Sequence, residues 1–242
     1  MASFKKIAHR GASGEYPENT PLAFAKAIEA RADMIELDCQ LTRDGHVVVF
    51  HDERLTRTAG VRGAVKDKTL EQLKKLDIGR WRSKTFTGER ILTLEEVLDV
   101  IAGNIDLCLE IKSYPDSVPG IELKLLFILS HYDYLDRTVI SASNYRCLAR
   151  VRELAPEAAL GVIHGSSKTA DPLSAAKELG AASIHVRKEL ASREFLQAAW
   201  DEGIDVYVWT VNEVREMEAF VALGVQGLIS DYPEKLWKVL AR

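Results

Sequence analysis

An α/β fold, a TIM-type (β/α)8 barrel with a small insertion after the hairpin on its second strand, follows from three features of the sequence. Short β-rich runs alternate with helical stretches along almost the whole chain, as repeated βα units do around a parallel sheet. One pair of runs is joined by too few residues for a parallel crossover and reads as a hairpin. Charged residues recur where the runs end, and in a barrel those ends converge on one face. The runs are Lys6–Ala8, Met34–Cys39, Val47–Phe50, Leu107–Ile111, Thr138–Ser141, Leu160–Ile163, Ser183–Val186, Val206–Trp209 and Gly227–Ser230. These nine are one more than a closed barrel of eight needs, and Val47–Phe50 is the surplus.

Taken in order, the first run ends in His9-Arg10. Thr20-Pro21 then sets a capping hydroxyl before a first-turn proline, ahead of Leu22, Phe24, Ala25 and Ile28 on one helix face. Thr42-Arg43-Asp44-Gly45 is a tight-turn sequence, so Met34–Phe50 is expected to be a hairpin. A turn centred on Arg43-Asp44 puts His51 level or nearly level with Glu36. From about residue 52 to 93 the chain carries Gly60, Gly63, Gly79, Gly88 and a basic Arg80-Trp81-Arg82, too long for an ordinary loop. It reads as an insertion over one mouth of the barrel. Capping boxes at Thr69–Gln72 and Thr93–Glu96 start helices within or just after it. No repeat or flexible linker divides the chain, so residues 1–242 read as one domain.

With 32 Lys plus Arg against 36 Asp plus Glu in 242 residues, the net charge of -4 makes a nucleic-acid footprint unexpected. No apolar stretch is long enough to span a membrane. The N-terminus reaches Lys5, Lys6, His9 and Arg10 before a secretory h-region forms, and the expected compartment is the cytoplasm. The cysteines Cys39, Cys108 and Cys147 lack metal-type spacing and read as reduced, buried thiols.

The chemistry lies at the strand ends. Residues two apart on a strand point the same way, so Glu36 and Asp38 share a face, as do Glu110 and Lys112. Carboxylates aimed into an apolar barrel repel one another and need a counter-charge, which a divalent cation supplies; oxygen donors suit Mg²⁺, Ca²⁺ or Mn²⁺. Arg10 and Lys112 can hold phosphoryl oxygens, and His9 and His51 can exchange protons with nucleophile and leaving group. That is equipment for cleaving a phosphodiester. Gly-x-Ser-x-Gly is absent, and Gly11-Ala12-Ser13-Gly14-Glu15 fits neither a nucleophile elbow nor a phosphate-binding P-loop. Singly, each residue has an ordinary reading: His9 a satisfied structural histidine, Arg10 a salt-bridge partner, Glu110–Lys112 a buried ion pair. So many ionisable groups at converging strand ends are not explained by packing. Trp209 reads equally as a substrate platform or a core filler. His46 and His131 read as surface residues, His164 and His185 have no visible partner, Ser230-Asp231 reads as a cap for the last helix, and Asn19 as a helix-start residue.

The motifs His9-Arg10-Gly11, Pro17-Glu18-Asn19-Thr20, Ile35-Glu36-Leu37-Asp38, Leu41-Thr42-Arg43-Asp44-Gly45, Val48-Val49-Phe50-His51-Asp52, Leu109-Glu110-Ile111-Lys112 and Val208-Trp209-Thr210-Val211-Asn212 strongly resemble, in order and nearly end to end, the glycerophosphodiester phosphodiesterases. The resemblance implies a TIM-type barrel with an insertion after the second histidine. It places metal carboxylates at Glu36, Asp38 and Glu110, catalytic histidines at His9 and His51, and phosphate-binding cations at Arg10 and Lys112. The implied reaction is metal-dependent hydrolysis of a small-molecule glycerophosphodiester to glycerol 3-phosphate and an alcohol, with no nucleic acid and no stable membrane insertion. One departure stands out: Ser141-Ala142-Ser143-Asn144-Tyr145 replaces the two serines and phenylalanine usual after the fifth strand, which touches substrate shape more than chemistry. Two other readings compete, a barrel that binds a phosphorylated ligand without turnover and a lysophospholipase D-like enzyme. The first would lack a histidine or metal carboxylate, and none is missing. The second needs an amphipathic or apolar surface, for which Leu123–Leu129 is short. No residue addresses the far end of the alcohol except, in the insertion, Trp81 and Phe86 among Arg80, Arg82 and Lys84, so kcat/KM is expected to vary by less than about tenfold between glycerol diesters.

Overall fold

The computed structural model describes residues 4–114, 119–166 and 171–241; the first three residues of the N-terminal stretch read above lie outside these. Eight parallel strands close a barrel: β1 Lys5–His9, β2 Met34–Leu41, β5 Asp106–Ile111, β6 Thr138–Ala142, β7 Ala159–His164, β8 Ser183–Arg187, β9 Asp205–Trp209 and β10 Gly227–Ser230. Closure is made by β1, which pairs with both β2 and β10. Two further strands, β3 Val47–Val49 and β4 Leu92–Thr93, extend β2 as an antiparallel flap. β3 is legible in the sequence and β4 is not, because it is only two residues long and its second, Thr93, is also the N-cap of the following helix.

The eight helices that follow the barrel strands are α1 Pro21–Glu29, α4 Leu94–Ile101, α5 Ile121–His131, α6 Tyr145–Leu154, α7 Pro172–Leu179, α8 Arg193–Asp201, α9 Val214–Leu223 and α10 Pro233–Leu240; the short α2 Thr56–Ala59 and α3 Leu70–Lys74 lie in the insertion. The expected starts hold. Thr20 Oγ1 accepts from the Ala23 N–H at 3.2 Å, and both capping boxes close, Thr69 with Gln72 and Thr93 with Glu96. Such caps satisfy amide donors that the helix itself cannot.

Strands covered by helices outside and by each other inside are buried on both faces, so their sequences are nearly continuous apolar runs. In β2 all eight residues are buried, Glu36 and Asp38 included. Phe24 from α1, Ile35, Leu37 and Leu107 are fully buried in the main core. The insertion has its own small core of Phe50, Leu55, Val65, Leu73, Ile78 and Ile91 against Val48. It folds back onto the loop after β1: Arg57 reaches Glu18, and Arg82 donates to the Gly14 carbonyl. That loop is tight because Gly11, at φ +82°, packs where a Cβ would sit 2.7 Å from the Ala23 backbone. Cys39, Cys108 and Cys147 are all buried free thiols, and His46 and His131 are exposed, as expected.

Candidate active site

Parallel register assembles the site. His9 is level with Glu36, Asp38 with Glu110, and Glu110 with Ser141, so residues from neighbouring strands meet at the carboxyl end of the barrel. His51 arrives from the hairpin. The pairing Cys39–Val49 puts it level with Leu37, one residue from the Glu36 level that the turn sequence suggested. Together with Arg10, Lys112 and Trp209, both histidines line a cavity of about 270 Å³ at the barrel mouth.

The carboxylates Glu36, Asp38 and Glu110 each bring one oxygen within 4.8 Å of the others. Lys112 Nζ lies 3.0 Å from Asp38 Oδ1 and 2.8 Å from Glu110 Oε1, and Arg10 Nε lies 3.4 Å from Asp38 Oδ2. Asp38 Oδ1 is buried with only the Lys112 ammonium beside it, and that contact falls outside hydrogen-bond geometry, which leaves the oxygen room for a further electropositive partner. Burial and the neighbouring Asp38 push Glu36 well above the usual carboxylate range. Burial also raises Glu110, against the pull of Lys112. For Asp38 burial acts upward too, but Lys112 and Arg10 outweigh it and hold the group ionised. Three converging, mutually repelling carboxylates that offer an all-oxygen donor set fit a hard divalent cation.

Each histidine is held through Nδ1 by a carboxylate. His9 Nδ1 lies 2.6 Å from Asp231 Oδ1, with His9 Nε2 4.0 Å from Glu36 Oε2. Asp231 also accepts from Ser13 Oγ at 3.0 Å and Asn212 Nδ2 at 2.7 Å. Burial opposes ionisation of Asp231, but these hydrogen bonds, His9's above all, bring it down to about 2. His51 Nδ1 lies 2.7 Å from Asp52 Oδ1, and Arg57 Nε donates to Asp52 Oδ2 at 2.7 Å. Arg57 bridges on to Glu18 at 2.6 and 2.7 Å, and Glu18 accepts from Arg10 Nη1 at 2.9 Å. Partial burial lowers the His51 pKa against the upward pull of Asp38.

Two residues read from sequence as helix punctuation belong to this site. Asp231 holds His9, while Tyr232 occupies the N-cap position of α10. Thr20 caps α1, and Asn19 is buried, at φ +57°, with Nδ2 donating to Asp38 Oδ2 at 2.9 Å. A non-glycine residue held in the left-handed region is a sequence-silent signal of a constrained position, and Arg10 shares it at φ +57°. Trp209 packs against the small cluster of Ile7, Cys108, Tyr207 and Ile229 and also lines the cavity, with Nε1 donating to the His185 carbonyl at 2.9 Å. His185 has partners after all: it is buried on the cavity floor, 3.0 Å from Ser183 Oγ and stacked on Tyr207, and burial lowers it to about 3. Gly161 makes room for it, since a Cβ there would meet His185 Nε2 at 2.6 Å. The insertion's aromatics are both engaged, Trp81 under the Arg57 guanidinium and Phe86 edge-on to Tyr16 of the loop after β1.

Fold and site define a (β/α)8 barrel whose mouth carries an acidic cluster flanked by fixed cations and two carboxylate-held histidines. The chain belongs to the glycerophosphoryl diester phosphodiesterase family, whose model matches residues 9–235. It is 42% identical over 231 residues to a glycerophosphodiester phosphodiesterase of Caldanaerobacter subterraneus, covering 95% of each chain. Identity to a glycerophosphodiester phosphodiesterase of Bacillus altitudinis is 34% over 239 residues, with 97% of both chains covered. Among solved structures, an Oleispira antarctica phosphodiesterase in complex with the product sn-glycerol-3-phosphate superposes with a TM-score of 0.89 at 29% identity, covering 98% of this chain and 96% of that one. The Thermotoga maritima glycerophosphodiester phosphodiesterase matches with a TM-score of 0.77 at 27% identity over the full length of both chains.

Proposed function

We propose that this chain hydrolyses glycerophosphodiesters to glycerol 3-phosphate and an alcohol, with one divalent cation, Mg²⁺ or Ca²⁺, held by Glu36, Asp38 and Glu110; Mn²⁺ suits the same donors. The observation that carries the reading is the pair of histidines, each fixed by its own carboxylate, facing one acidic cluster between Arg10 and Lys112. Family membership and the product complex of the Oleispira relative support it. The whole chain works as a single barrel domain whose insertion braces one side of the mouth.

When bound, the cation offsets the repulsion among the carboxylates and polarises phosphoryl oxygens. Arg10 and Lys112 are placed to hold those oxygens as charge builds on them. His9 is the general base. Asp231 is hydrogen-bonded otherwise by neutral donors, so its charge is left for His9, whose Nε2 faces the acidic cluster and takes a proton from the nucleophile that attacks phosphorus, water being the group consumed overall. His51 is the general acid. Asp52 shares its charge with Arg57, which makes His51 less basic and a better proton donor to the departing alcohol oxygen. Trp209 offers an apolar face for the glycerol carbons.

The direct experiment follows glycerol 3-phosphate release from glycerophosphocholine and glycerophosphoglycerol by metal-free protein, with and without added Mg²⁺, Ca²⁺ or Mn²⁺. Turnover is expected only with metal. Full turnover by metal-free protein in excess chelator would sink the metal-dependent reading, and no release under any condition would sink the hydrolase.

A further inference from the structure

Beside the catalytic cavity lies a larger one of about 560 Å³. The two adjoin at Lys112 and Ser143, which line both. Among the described residues, the outer cavity is walled by Glu53 and Lys66 of the insertion, by Lys112–Tyr114 after β5 and by the start of α5. It flanks the His51 side of the site: Tyr114, on its wall, donates its hydroxyl to the His51 carbonyl at 2.5 Å, and Glu53, also on its wall, lies two residues beyond His51. An alcohol leaving toward His51 would therefore have this space in front of it.

Most polar groups on the wall are already used. The Gln40 amide donates to the Phe50 and Asp52 carbonyls at 2.6 and 2.9 Å, Asn144 Nδ2 donates to Ser113 Oγ at 3.0 Å, and Lys112 is held by Asp38 and Glu110. Lys66 is itself engaged. On the described wall two half-buried carboxylates are left without a cationic partner, Glu53 and Glu122, the latter meeting only the neutral Cys147 thiol. A cavity that joins a phosphodiester site and presents carboxylates is complementary to a cation, and disfavours an anionic group there.

We infer that this cavity receives the alcohol half of the substrate and that Glu53 and Glu122 select alcohols bearing a protonated primary amine. The inference rests on the hydrolase reading and adds the substrate class to it. A primary ammonium brings three N–H donors that two carboxylates can accept. A quaternary ammonium instead needs several aromatic faces, and Tyr114 is the one aromatic residue on the described wall. Head-group recognition therefore sits in this cavity and not on Trp81 and Phe86, and the tolerance expected from sequence gives way to a preference.

The test is steady-state hydrolysis of glycerophosphoethanolamine, its N-acetyl derivative, glycerophosphocholine and glycerophosphoglycerol by wild type, Glu53→Gln, Glu122→Gln and the double variant. Wild type should favour glycerophosphoethanolamine over glycerophosphoglycerol by about tenfold or more in kcat/KM, mainly through KM, with the choline diester between them. The double variant should lose that preference while keeping its rate on glycerophosphoglycerol within about twofold. N-acetylation removes the charge without touching the protein, and should abolish the preference in wild type. Equal kcat/KM on the charged and acetylated diesters, or variants that slow every substrate alike, would overturn the head-group assignment alone. Failure to hydrolyse any of the four would instead overturn the hydrolase reading beneath it.

Discussion

His9 and His51 are held by carboxylates at nearly the same distance, 2.6 and 2.7 Å, yet the two stations are built in opposite ways. The carboxylate for His9 comes from Asp231, 222 positions away, and reaches it only because β10 closes the barrel against β1. The carboxylate for His51 is its sequence neighbour, and is steadied from outside the barrel by Arg57 of the insertion and, through Arg57, by Glu18. His9 keeps 16% of its side-chain surface exposed and His51 30%. The proposed base thus depends on barrel closure and on an undivided anionic charge. The proposed acid depends on the docking of a peripheral segment and on a charge shared with an arginine. Damage to the barrel seam should therefore strike one proton transfer, and damage to the insertion the other.

The sharpest separation of the stations is removal of the rings. His9→Ala and His51→Ala should each lower kcat by roughly 10²–10⁴ on a natural diester. A p-nitrophenyl ester of glycerol phosphate, whose leaving group needs little protonation, should restore His51→Ala and leave His9→Ala slow. Rescue of His9→Ala alone would reverse the assignment.

A smaller effect is expected from the holders. Asp231→Asn offers an amide to Nδ1, which favours the wrong tautomer and removes the anionic partner of the ring, and should cost roughly 10²-fold in kcat. Asp52→Asn should cost about tenfold, because that charge is already partly spent on Arg57. Equal losses would mean that Arg57 does not tune the second station.

Arg57→Ala tests the same point by pH. Burial sets His51 below the ordinary histidine value, so as an acid it should lose activity with rising pH earlier than a free imidazole would. Without Arg57 the whole charge of Asp52 acts on His51 and raises its pKa. The alkaline limb of the kcat/KM profile should move to higher pH, with only a few-fold loss at the optimum. An unmoved limb would detach the insertion from the acid.

The smallest effect is on stability. Asp231 is depressed from an ordinary 3.8 to about 2, so its interactions stabilise the fold above about pH 4 and are lost as pH falls toward 2. That amounts to about 2 kcal/mol. Thermal or urea unfolding of wild type should weaken more steeply across that window than that of Asp231→Asn, and parallel curves would argue against the pairing.

The fold class and the charged residues of the site are legible in the sequence because both are written locally. A buried parallel strand must be a short apolar run, so charges at Glu36, Asp38 and Glu110 stand out, and the tight turn at Thr42–Gly45 identifies the hairpin within one residue of its register. Capping boxes are equally local, four residues whose side chains and amides satisfy each other. The partners of these groups are a different matter. Asp231 reads as a cap until closure brings β10 beside β1, Asn19 reads as a helix start until its left-handed backbone turns the amide onto Asp38, and His185 has no neighbour until Gly161 leaves it room. The insertion's contact with Glu18 of the loop after β1, and the outer cavity that brings Glu53 beside Glu122 of α5, likewise join segments far apart in the chain. Sequence alone determined which residue types stand at the strand ends, because burial and turn chemistry constrain each short segment by itself; which of them meet depended on tertiary structure, because only chain closure sets distances between groups hundreds of residues apart.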